Sequence, residues 1–142
     1  MVEKTIYNWL KIAAIEFADE SRANLSLDLI EEEVNELKDA TNRKDILDAY
    51  VDIIWVLNNF LYAKGIQIKE IKEYIKKVQI SNFSKFCLSK EEAQKTVEAY
   101  RNGEHPDKIG VNINARYMFS KPYYIILDEK GKILKNINYI KV

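Results

Sequence analysis

Histidine and cysteine are almost absent from this sequence, with one of each, His105 and Cys87, among 142 residues. A single cysteine excludes an internal disulfide and suits a reducing compartment, so a cytoplasmic protein is expected. A di-iron helical bundle needs Glu-x-x-His pairs. The one histidine instead sits in a Gly103-Glu104-His105-Pro106-Asp107 loop, which removes that class. Without a helix-borne histidine Cys87 has no thiol-dyad partner, and it reads as a buried or half-buried bystander. Four glycines, none clustered, leave no loop to cradle phosphates in the manner of a P-loop. Charge of one sign is also missing: 22 acids balance 22 bases, so no global field draws the chain to a nucleic acid polymer or a membrane. The N-terminal residues lack a signal-peptide pattern. The apolar run around Ile53 is broken by Asp52, Asn58 and Asn59 and is expected to be too short to span a bilayer. The length fits one domain.

What is present is helical periodicity followed by a change of period. A first helix is expected from Thr5 to about Asp19, then a polar connection from Glu20 to Leu25. Ser26 is the expected N-cap of a second helix that runs to about Ala40. Asn42 and Asp45 stand at capping-box spacing ahead of a third helix, which reaches Lys64 and stops at Gly65. A fourth helix, from about Ile68 to Ile80, places Ile68, Ile71, Ile75 and Val78 inward. Ser89-Lys90-Glu91-Glu92 is a capping box that opens a short fifth helix, with Ala93, Val97 and Tyr100 as its packing face. Beyond Gly103, Val111, Ile113 and Ala115 alternate with polar residues. Tyr123 to Leu127 is a strand-like run, and Asp128-Glu129-Lys130-Gly131 reads as a hairpin turn with Ile133-Leu134 and Tyr139-Ile140 returning. The expected fold is all-α, an antiparallel four-helix-bundle core with a short fifth helix and a small C-terminal β-hairpin or meander. The helical part spans residues 1–103, and residues 104–142 form an extension packed on the same domain.

The chemistry lies where acids interrupt apolar faces. On the second helix Ile30, Val34 and Leu37 form one stripe; Glu33 falls between it and the Leu29/Ala40 line. Glu36 sits beside the stripe, and Glu32 lies at its rim. From Ala49 to Ala63 the third helix is apolar nearly all round and is expected to be buried on most sides, with Asp52 in its middle. Asp48 lies one turn before Asp52, and Asn59 two turns after, on the same line. The short connection makes the two helices antiparallel neighbours, so Glu33, Glu36, Asp48 and Asp52 face one groove. Carboxylates so crowded repel unless a cation compensates them, and hard oxygen ligands suit Mg²⁺. The alternatives are a charged helix face and, for Asp52, a structural Lys partner from the fourth helix. Ser81-Asn82-Phe83-Ser84-Lys85-Phe86 adds donors between aromatic rings, with Lys85 and Asn82 suited to phosphate. An ordinary helix end packed by Phe83 and Phe86 explains the same residues.

At these residues the chain resembles the all-α nucleoside triphosphate pyrophosphohydrolase superfamily, which includes MazG-like enzymes, dimeric dUTPases and phosphoribosyl-ATP pyrophosphatases. Its signature is Glu-Glu-x-x-Glu on one helix and Glu-x-x-Asp on the next. Glu32-Glu33-Val34-Asn35-Glu36 matches the first half. In the second half Asp52 fits the final Asp, while Ala49 occupies the usual Glu position and Asp48 stands one residue earlier. That departure resembles a MazG-like, phosphoribosyl-ATP-pyrophosphatase-like branch with Asp-x-x-x-Asp. The same branch has Ser-Asn-Met-Ser-Lys-Phe, which Ser81 to Phe86 resemble, and a hairpin resembling Asp128 to Lys135.

The resemblance implies cleavage between the α and β phosphates of a nucleotide, giving a monophosphate and pyrophosphate, with Mg²⁺ as cofactor and Mn²⁺ as its substitute. It further implies a homodimer or homotetramer. The expected roles are Glu33, Glu36, Asp48 and Asp52 as metal ligands, Glu32 as the base that positions water, and Asn59, Asn82 and Lys85 as substrate-binding residues. The rival is a non-catalytic helical oligomerisation module whose acidic groove binds a basic partner.

Overall fold

In a computed structural model that describes residues 1–142, the chain has five α-helices and one antiparallel β-hairpin. The all-α core with a small C-terminal hairpin is the expected fold. It divides into two compact units, Met1–Lys72 and Glu73–Val142, with the division inside the fourth helix.

The first unit holds α1 (Val2–Ile12), α2 (Ser21–Asp39), α3 (Arg43–Ala63) and the start of α4 (Ile68–Phe83). Helix α2 packs along α3, and α1 also packs on α3. Ala23, Ser26, Ile30, Val34 and Leu37 recur at helical spacing and form the covered stripe of α2. On α3, Ala49, Val56 and Ala63 are buried. A second apolar group joins α1 to α3: Ile6, Tyr7, Leu10 and Tyr62, with Ile54, Trp55, Ile68 and Ile71 against them. Within it Tyr7 meets Tyr62 edge to face at 5.0 Å, and Trp9 meets Trp55 at 5.6 Å. The Asn42 cap has formed: Asp45 N donates to Asn42 Oδ1 at 2.9 Å, and the Asn42 amide returns a bond to Asp45 Oδ2.

Several expectations give way here. Helix α1 ends at Ile12 rather than near Asp19, because Ala14 takes a left-handed conformation (φ 58°) and Ile15 N bonds back to Leu10 O at 3.0 Å. That closure usually uses glycine, so alanine gave no signal. Helix α2 begins at Ser21, and Ser26 is not a cap; it is buried inside the helix with Oγ donating to Arg22 O. Helix α3 is not buried on most sides of a single chain, since Tyr50, Val51 and Leu57 are exposed. Ile75 and Val78 of α4, expected inward, are exposed too. At 21 residues α3 is also long and apolar enough, by length and composition, to cross a membrane, which corrects the reading that it is too short. Helix α2 packs along it, and Asp45, Asp48 and Asp52 lie upon it.

The second unit packs α5 (Lys90–Arg101) on the hairpin of β1 (Arg116–Ser120) and β2 (Tyr123–Leu127). Its core is Cys87, Ala93, Val97, Tyr100, Ala115, Ile126 and Leu134. Ser89 caps α5 by accepting from Glu92 N at 3.1 Å; Glu92 accepts from Leu88 N instead of closing a reciprocal box. The strands pair from Arg116↔Leu127 to Ser120↔Tyr123, so the two-residue turn is Lys121-Pro122. Asp128 to Gly131 does turn the chain, with Asp128 Oδ1 accepting from Lys130 N and Lys132 N. What returns is a single bridge, Leu127↔Ile133, rather than a strand, and Tyr139-Ile140 forms none. Asparagine and hydroxyl side chains hold that tail: Asn136 donates to Phe86 O, and Ser84 Oγ accepts from Ile140 N at 2.8 Å.

Candidate active site

The α2–α3 pair places one carboxylate between opposing demands. Glu33 lies on the packing stripe of α2 and is half-buried, and its Oε2 is shut away from solvent with no hydrogen-bond partner. Burial pushes the Glu33 carboxyl up from its ordinary value. The charges of Glu36, Asp52 and Glu32 push it further. Both helices therefore direct acids at this point. Neither Asp48 nor Asp52 has an ion-pair partner, so the structural Lys expected from α4 as the alternative partner of Asp52 is not there.

The burial expected of Asp52 is corrected: Asp52 is exposed, as are Glu32, Glu36 and Asp48. An α-carbon line through Asp52, Val56, Asn59 and Ala63 runs along α3, and only its later members are covered. Asn59 is half-buried with its Oδ1 buried and unpartnered. Its neighbour Asn58 is buried and donates from Nδ2 to Ile54 O at 2.9 Å, yet its Oδ1 is also without a partner. Both amides of this pair thus leave an oxygen unsatisfied. Glu3 of α1, which the sequence reading passed over, has a buried unpartnered oxygen as well. An acid one turn before Ile6 in an amphipathic helix gives no distinctive signal.

The donor set is carboxylate and amide oxygen, the chemistry of a hard divalent cation. An orphaned buried oxygen on a carboxylate ringed by other acids fits such an ion, because unpaired buried acids otherwise neutralise themselves. No three His, Cys, Asp or Glu side chains are grouped as a ligating cluster, however. The acids are assembled around Glu33 electrostatically rather than closed into a coordination shell.

Asn82 and Lys85 belong to the second unit, where Lys85 Nζ donates to Asn82 Oδ1 at 2.9 Å. Cys87 and His105 of the same unit are structural. Cys87 is fully buried, and burial pushes its thiol up to about 11, which leaves it protonated and inert. His105 stacks on Tyr100 at 3.9 Å; its Nδ1 accepts from Asp107 N, so Nε2 carries the proton toward Lys135 O.

A helical hairpin that turns a set of acids onto one half-buried carboxylate defines a candidate hydrolase centre of the all-α kind. Consistent with that class, residues 11–79 match the family model described as phosphoribosyl-ATP pyrophosphohydrolase. The match agrees with the MazG-like, phosphoribosyl-ATP-pyrophosphatase-like branch. It covers the α2 and α3 acids and stops short of Asn82 and Lys85. No curated protein and no solved structure gives a significant match.

Proposed function

We propose that the protein is a Mg²⁺-dependent nucleotide pyrophosphohydrolase, cleaving a (deoxy)nucleoside triphosphate or related nucleotide between the α and β phosphates. The observation that carries this is the half-buried Glu33 carboxylate, whose Oε2 is buried without a hydrogen-bond partner and which is charged against by Glu36, Asp52 and Glu32. Glu33, Glu36, Asp48 and Asp52 would hold the ion, with the catalytic chemistry in the helical residues 1–103. Bound there, Mg²⁺ would supply Lewis-acid polarisation of the phosphoryl group and offset charge on the leaving pyrophosphate. Glu32, exposed and free of any ion pair, accepts the proton of the attacking water. Asn59 lines the site through its free amide oxygen; Asn82 and Lys85, in the second unit, are the proposed phosphate-binding residues.

The test is turnover of the four dNTPs, four NTPs and phosphoribosyl-ATP, with and without Mg²⁺, with pyrophosphate and orthophosphate measured separately. Pyrophosphate release that needs Mg²⁺ is expected from at least one nucleotide. Asp52→Asn should lower it by about 10²-fold or more, while stability changes by less than about 0.5 kcal/mol because Asp52 is exposed and unpaired. Orthophosphate alone would put the cut at the wrong bond. Absence of turnover across the panel would favour the non-catalytic module.

A further inference from the structure

Arg101 and Arg116 lie fifteen residues apart in the chain and meet at one cleft. Its volume is about 460 Å³, and it is lined by Gln94, Val97, Glu98, Arg101, Arg116 and Tyr117, all in the second unit. That size suits a small molecule. Arg101 closes α5, and its Nε donates to Ala115 O at 3.0 Å. This bond fixes the guanidinium plane next to the start of β1 and leaves both terminal nitrogens free. Arg116, the first residue of β1, is exposed. None of the ion pairs in the chain uses either arginine, although Glu98 lines the same cleft.

Both guanidiniums are exposed and neither has a carboxylate partner. Each offers a planar fork of donors matched to phosphate oxygens. Around them the wall changes character: the half-buried Tyr117 ring and the Val97 methyls are apolar, while Gln94 and Glu98 can accept from amino or hydroxyl donors. We propose that this cleft binds a phosphomonoester of mononucleotide size, with phosphate on Arg101 and Arg116 and the body of the ligand against Tyr117, Glu98 and Gln94. The site lies wholly beyond residues 11–79 and is independent of the chemistry at Glu33.

Calorimetric titration of the full chain with AMP in EDTA tests this, since chelation removes any contribution from metal at the acids. Saturable binding is expected, with adenosine giving none and inorganic phosphate binding more weakly than AMP. Arg116→Ala should weaken AMP by about tenfold or more. Arg101→Lys, which keeps the charge but loses the fork, should also weaken it, and Glu33→Gln should leave it unchanged. Arg116 is exposed at a strand end, so its variant should keep the wild-type far-ultraviolet circular dichroism. No saturable heat with AMP, or affinity untouched by Arg116→Ala, overturns the site. Adenosine binding as well as AMP overturns the role given to phosphate, and phosphate binding as well as AMP overturns the role given to Tyr117, Glu98 and Gln94.

Discussion

Two side chains show how differently burial acts on an acid and on a base. Glu33 is raised by burial and by its acidic neighbours, so the free chain carries a repulsion that only a proton or a cation relieves. His105 is lowered, first by burial, and its ring is already committed at both nitrogens. A base whose pKa falls on folding gives stability that is present above its ordinary value, about 6.5. That stability is lost as pH drops from there toward the lower folded value, because the unfolded chain takes up the proton first. Thermal stability is therefore expected to decline as pH is lowered below about 6.5. The single histidine allows a direct check, since one imidazole signal in a proton NMR titration belongs to His105 alone. Its midpoint should lie below that of a free imidazole, and a midpoint at or above it would remove His105 as the source of acid sensitivity.

At the scale of elements, helix ends decide where the chain turns. Gly65 closes α3 with φ 72°, where Ile66 N reaches Leu61 O at 3.0 Å. A Cβ there would stand 3.0 Å from Ala18 Cβ. Gly65→Ala should accordingly destabilise by more than about 1 kcal/mol, from the left-handed backbone and the tight contact together. Urea unfolding checks this, and an unchanged midpoint would mean that Ala18 and the backbone yield freely. The same contrast explains what was legible in the sequence. Gly65, Asn42 and Ser89 carry standard end signals; α3 begins and ends, and α5 begins, where these place them. Ala14 and Ala18 are left-handed without being glycine, so the end of α1 and the start of α2 were not readable. The hairpin was displaced for a related reason. Asp128 to Gly131 has the stronger turn composition, yet Lys121-Pro122 joins the paired strands, because pairing of Arg116 to Ser120 depends on packing over α5. The acids of α2 were legible as an interruption of an apolar stripe. The exposure of Asp52 was not, because periodicity reports which face is apolar and not what covers it.

What covers α3 is a question for the whole molecule. Leu47, Tyr50, Val51 and Leu57 of α3, Leu25 and Leu27 of α2, and Ile75, Val78 and Ile80 of α4 are all exposed large apolar side chains. Isolated exposed leucines need no explanation, but helices long enough to form a core with these faces in water are costly. Burying roughly 1,200–2,000 Å² between copies would match a stable interface. We predict a homodimer or homotetramer in which the α3 face is covered by another copy. Light scattering on a sizing column should give two or four times the 16.7 kDa chain mass. Leu47→Asp, at an exposed position, should shift that mass toward the single chain while the helical signal persists. Such a monomer is expected to lose thermal stability, because the uncovered faces of α2 and α3 would again meet water. A wild-type chain that stays monomeric and active at micromolar concentration would show that the exposed faces need no second copy.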